Sequence, residues 1–93
     1  MIRVVATVRA KPGKGPELEE DFRDWAKVVK ANEPGTLEYT LYRSKDDPEV
    51  YVALELYENE AAIEAHRKNF RARQGGADVA AGPPTILLLE RVA

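Results

Sequence analysis

A chain of 93 residues has the length of one domain, spanning 1–93, whose interior is small enough that an oligomeric partner would help to stabilise it. Its net charge is −2, and its Lys and Arg are interspersed with acids. That excludes the basic surface which nucleic acid or an anionic membrane requires. The lack of cysteine excludes disulfides, thiolate metal sites and Cys nucleophiles.

The opening MIRVVATVRA has no long apolar core of the kind a secretion signal carries, and it reads as a strand. No apolar run approaches the ~18 residues of a membrane-crossing helix. A cytoplasmic location is the expectation. Alternation over residues 2–10 puts Ile2, Val4, Ala6, Val8 and Ala10 on one apolar face, with Arg3, Val5, Thr7 and Arg9 on the other. Lys11-Pro12-Gly13-Lys14-Gly15 ends this strand, because proline removes a ladder donor and glycine turns the chain.

Pro16 suits a first helical position, and Glu17, Glu19, Glu20 and Asp21 complement the positive end of the helix dipole. Leu18, Phe22, Trp25 and Val29 then recur at helical spacing. They predict a single apolar stripe on a helix of about four turns, stopped by Asn32-Glu33-Pro34-Gly35.

The β-rich runs Thr36–Arg43 and Val50–Tyr57 flank the polar residues 44–49, SKDDPE, and predict an antiparallel hairpin. Asp and Pro favour its turn, Asp by bonding nearby backbone and Pro by presetting φ. Leu37, Tyr39 and Leu41 share one face, opposite Glu38, Thr40 and Tyr42. On the second run Val50, Val52, Leu54 and Leu56 oppose Tyr51, Ala53, Glu55 and Tyr57. The aliphatic set is expected beneath the helices. Tyr51, Glu55 and Tyr57 are too aromatic for open water and too polar for a dry core, so they are expected to meet a second copy of the sheet. Arg3 or Arg9 of the neighbouring first strand, or Arg43 across the interface, would then answer the Glu55 charge, a catalytic role for Glu55 being the other reading.

Asn59 is a good N-cap, and Ala62, Ile63, His66 and Phe70 form the stripe of a second helix. Arg67, Lys68, Arg71 and Arg73 cluster near its end, where cations suit the dipole. Residues 74–78 break the pattern, and residues 79–82 are expected to form a short helical turn. Residues 85–92 predict a last strand, and their Ile-Leu-Leu-Leu run implies burial on both faces. The order β-α-β-β-α-β predicts an α+β fold of the ferredoxin-like kind, a four-stranded antiparallel sheet with both helices on one face. The face left bare predicts a homodimer.

A strand ending in Lys-Pro-Gly-Lys, the segment EPGTLEY at residues 33–39, and the run YVALELYENEAAIEAH at residues 51–66 follow one another. Together they resemble the antibiotic biosynthesis monooxygenase (ABM) family, also called quinol-monooxygenase-like. The resemblance implies a dimeric α+β barrel of two ferredoxin-like protomers. It further implies a range of activities: cofactor-independent oxygenases of anthrones, naphthols or quinols, haem-degrading enzymes, or an isomerase. The Asn and Trp positions of the haem-degrading members fall on Val8 and His66, and the position of their ligand His falls near Gly76, so haem degradation is not implied. His66 matches the Glu-Ala-His pattern common in the family.

His66 is the one side chain whose ordinary pKa lies near neutrality, and its stripe faces the interior. It is the candidate catalytic base, taking a phenolic or enolic proton. The other reading is a half-buried His bonded to a backbone carbonyl and packed on Phe70. Phe22, Trp25, Tyr39 and Phe70 are the candidate substrate-binding wall for a flat aromatic molecule, although their spacing also suits simple core. Scattered acids and one His give no metal site, and 46–49 lacks the ligand series of a calcium loop. The glycines form no nucleotide fingerprint, and no cofactor is expected. The expected function is a cofactor-independent monooxygenase of a small quinol, phenol or anthrone-like molecule. The alternative is a non-oxidative isomerase or small-ligand-binding protein on the same scaffold.

Overall fold

A computed structural model describes residues 1–93. The elements are β1 (Ile2–Arg9), α1 (Gly15–Asn32), β2 (Thr36–Arg43), β3 (Val50–Tyr57), α2 (Glu60–Arg71) and β4 (Thr85–Glu90). The strands form one antiparallel sheet in the order β2-β3-β1-β4, which is the ferredoxin-like arrangement. In β1 register, Val4 lies opposite Glu55 on one side and Leu88 on the other, while Val8 lies opposite Tyr51. Val4, Val8, Tyr51, Glu55, Tyr57 and Leu88 therefore share a face.

Both helices cover that face. Leu18 of α1 packs with Ala10, Tyr51 and Val79, and Ile63 of α2 packs with Val4 and Tyr57. Local chemistry places the helices as expected. Proline enters α1 in its first turn, and the Asn59 side chain accepts the Ala62 N–H at 2.9 Å to cap α2. Gly35 lets the start of β2 pass close to α2, since a Cβ there would lie 2.6 Å from the Cβ of Ala62. In the hairpin turn the Asp47 carboxylate accepts the Glu49 N–H, and the Ser44 hydroxyl accepts the N–H groups of Asp46 and Asp47.

Five expectations are overturned. Tyr51, Glu55 and Tyr57 are not on the bare face; they lie under the helices, 1%, 7% and 1% exposed. Val50, Val52, Leu54 and Leu56 take the open face instead. Alternation sorts side chains into two sets, and it leaves open which set the helices cover. The hydroxyls of Tyr51 and Tyr57 make burial tolerable, donating to Glu19 and Glu55 respectively. The arginines proposed for Glu55 are engaged elsewhere: Arg3 with Glu38, Arg9 with Asp47 and Arg43 with Glu19.

Leu37 parts from Tyr39 and Leu41, because a bulge between Thr36 and Glu38 shifts the register and leaves it exposed. Residues 79–82 make no helical turn. Ala80 bridges Ala10, and the Val79 carbonyl accepts the Lys11 N–H, so this segment is tied to the chain just past β1 as an extra extended rung. Finally, β4 is bare: Ile86, Leu87, Leu88 and Leu89 are all about half exposed. It pairs only with β1 and forms a sheet edge.

Candidate active site

Between helices and sheet lies a cavity of about 460 Å³, within the range of small-molecule sites. β1 supplies Val4, Ala6 and Val8 to its floor, and β2 and β3 supply Tyr39, Leu41, Ala53, Glu55 and Tyr57. Leu18, Phe22 and Trp25 line it from α1, and Ile63, His66 and Phe70 from α2. His66, Phe22, Trp25, Tyr39 and Phe70, five side chains singled out from sequence, are thus brought around one space.

The aromatic wall is ordered by ring contacts. Phe22 stacks on Tyr39 with centroids 4.8 Å apart, and Trp25 meets Phe70 edge-on at 5.8 Å. Phe70 is half exposed and stands at the mouth, whereas Trp25 is buried. Arg73 lies over the Trp25 ring at 4.9 Å and is held there by Asp21, at 2.8 and 3.2 Å. Asp21 also accepts the Ala77 N–H, which draws the segment after α2 onto α1.

His66 sits between two buried carboxyl groups. Its Nδ1 is 2.7 Å from Oε1 of Glu33, and its Nε2 is 3.9 Å from Oε1 of Glu55. Glu33, 5% exposed, occupies the C-cap of α1, and three side-chain donors converge on it: His66, Thr36 and Asn69. A carboxylate that already accepts from Thr36 and Asn69 accepts from His66 as well, so Nδ1 carries the proton. The neutral ring then keeps a free lone pair on Nε2, which is what a general base needs. The expectation of a backbone carbonyl partner for His66 is thereby replaced by a buried acid.

Around Nε2 the rings of Tyr39 and Tyr57 approach to centroid distances of 5.3 and 5.4 Å. Burial, reinforced by the nearby Glu55 charge, pushes the Tyr39 hydroxyl far above the usual phenol range. Burial and its hydrogen bond to Glu55 do the same for Tyr57. Both phenols stay protonated, and the Tyr57 hydroxyl donates to Glu55. Burial also raises the Glu55 carboxyl, against the opposing effect of the Tyr57 hydrogen bond.

Glu33, Thr36 and Asn69 were not singled out as functional from the sequence. The signal available was a carboxylate directly before Pro34-Gly35, at the start of a segment already set apart by its resemblance. No group of His, Asp and Glu is arranged to hold a metal ion.

The sheet, the two helices and the aromatic cavity between them define a ferredoxin-like α+β protein with a buried His–carboxylate pair. The chain belongs to the antibiotic biosynthesis monooxygenase family, whose sequence profile matches residues 1–75. A protein from Caulobacter crescentus whose crystal structure carries the same family name is 41% identical, with a TM-score of 0.79 over 99% of this chain and 90% of that one. PA3566 from Pseudomonas aeruginosa is 27% identical, with a TM-score of 0.82 over 99% and 94% of the two chains. Rv0793 from Mycobacterium tuberculosis is 25% identical, with a TM-score of 0.80 over 99% and 95%. No curated protein matches the chain.

Proposed function

We propose that this protein is a cofactor-independent monooxygenase of a small quinol, phenol or anthrone-like molecule. The observation that carries the reading is His66, oriented by Glu33 and set in an apolar cavity walled by Phe22, Trp25, Tyr39 and Phe70. A flat ring fits between Phe22–Tyr39 and Trp25–Phe70, with its hydroxyl toward Nε2. His66 removes the hydroxyl proton, and Glu33 stabilises the imidazolium formed. The resulting anion is electron-rich enough to react with O2. For a quinol, one oxygen atom enters the ring and the other leaves as water, and the substrate itself supplies the electrons as it becomes a hydroxyquinone.

Oxygen uptake across a panel of hydroquinones and anthrones tests this. Uptake by the wild type that is lost in His66→Ala supports it; unchanged turnover in His66→Ala removes His66 from the mechanism. The same proton-handling pair would serve a non-oxidative isomerase, and turnover of a carbonyl compound without oxygen consumption would favour that reading.

We further propose a cytoplasmic homodimer joined through the open sheet face. Support comes from Val52, Leu54 and Leu56 on β3 and the bare Leu87 and Leu89 on β4, with Val5 of the intervening β1 paired to both Leu54 and Leu87. No helix is long and apolar enough to cross a membrane.

A further inference from the structure

Glu55 is a buried titratable group that the proton transfer above leaves unused. It reaches the cavity from the middle of β3, flanked in the sheet by Val4 on β1 and Tyr39 on β2. The Tyr57 hydroxyl donates to Oε1, and Oε2 has no hydrogen-bond partner in the protein. From α2, His66 Nε2 stands 3.9 Å from Oε1, too far for a hydrogen bond, and a ligand oxygen set to one side of that line can reach the imidazole and the carboxyl at about 2.8 Å each. The titratable groups around it are Tyr57 on its own strand, Tyr39, His66 and, beyond His66, Glu33. None is a Lys or Arg. A carboxyl so placed keeps its proton more readily than one in water, burial being the main cause.

Resting on the phenol-binding reading, we propose that Glu55 is a second catalytic residue: a neutral carboxylic acid whose Oε2–H hydrogen-bonds the phenolate oxygen that His66 creates. The ligand proton passes to Nε2, Nδ1–H stays on Glu33, and the electron pair remains on the ligand oxygen. An ionised Glu55 would repel that charge; a protonated one stabilises it, as a buried acid held neutral can. The pocket therefore favours phenols, quinols and enols that ionise once bound. An amine cation would call for the opposite charge state.

The test uses pentafluorophenol, an anion throughout the neutral range, titrated into the intact protein and followed by fluorine NMR and infrared difference spectroscopy. Binding should shift a carboxylic-acid carbonyl stretch in the wild type, and that band should be missing from Glu55→Gln. Because its amide still donates, Glu55→Gln should bind within about threefold of the wild type, while Glu55→Ala should bind at least about tenfold more weakly. The infrared band of the wild type and the affinity of Glu55→Gln decide the question even where Glu55→Ala does not fold. Binding without any carboxylic-acid band change, or equal loss in Glu55→Gln and Glu55→Ala, would overturn the role of Glu55 and leave the phenol site standing. No binding of pentafluorophenol or of any neutral phenol by the wild type would remove the phenol site itself, and this role with it.

Discussion

Nδ1 of His66 lies 2.7 Å from Oε1 of Glu33, a carboxylate buried where α1 ends and 33 residues away in the chain. The contact ties the second helix to the end of the first and, in the same stroke, sets the tautomer of the only imidazole. Glu33→Gln should therefore act at two levels. Oxygen uptake with a hydroquinone should fall roughly 10²-fold, toward the level of His66→Ala, since the imidazolium loses its counter-charge. Stability should fall by about 1–3 kcal/mol, because the Thr36, Asn69 and His66 donors no longer share a carboxylate. Uptake unaffected by this change would show that the pair is structural only.

The pH dependence of folding follows from Glu55. Its carboxyl is raised above the usual 4.5 by burial, so the folded protein holds that proton more tightly than the unfolded chain. The stabilisation is complete below about pH 4.5 and is lost as pH rises through the raised folded value. Glu55→Gln keeps an acceptor for Tyr57 and removes the titration. Melting temperatures should show the variant gaining on the wild type as pH rises above about 4.5. A variant that loses the same number of degrees at every pH would contradict the argument.

Gly35 and Ala62 mark where β2 meets α2. A methyl group at Gly35 would stand 2.6 Å from Ala62 Cβ, nearer than two carbons approach without displacement. Gly35→Ala should destabilise by about 1–3 kcal/mol in urea unfolding, as overpacking does. Combining it with Ala62→Gly should recover part of that loss. If the double variant is no better than the sum of its parts, the clash is not the cause.

Asp21 holds Arg73 over Trp25, with both charged side chains about one-fifth exposed. Asp21→Asn should cost about 1 kcal/mol, at the upper end of what a partly solvated pair contributes. It should also free Arg73 from the indole face. Trp25 is the only tryptophan, so its emission spectrum reports the change directly. An emission spectrum identical to that of the wild type would mean that Asp21 does not position Arg73.

The apolar surface of the open sheet face calls for a partner of like chemistry. The wild type is expected to sediment as a dimer, and Leu54→Lys or Leu87→Lys to sediment as a monomer with its secondary structure retained. Wild-type protein that sediments as a monomer at micromolar concentration would end the proposal.

Much of this molecule is written in local patterns. Period-2 alternation in Ile2–Arg9 and Val50–Tyr57, the 3,4 spacing of Leu18, Phe22, Trp25 and Val29, and the Asn59 cap suffice for six elements in the observed order. That order leaves one compact arrangement, which the structure bears out. The stripe on α2 also pointed His66 inward, where the cavity lies.

What the local patterns could not decide is which side of the sheet the helices would choose, and which acid would meet the histidine. Alternation is symmetric: it separates Tyr51, Glu55 and Tyr57 from Val52, Leu54 and Leu56 without saying which set is covered. Burial by whole helices breaks the symmetry, and here it selects the polar aromatics because their hydroxyls find Glu19 and Glu55. Glu33 reads in sequence as a helix-ending residue. It becomes a partner of His66 only when the chain has folded back across the sheet, because a hydrogen bond depends on distance in space and not on separation along the chain.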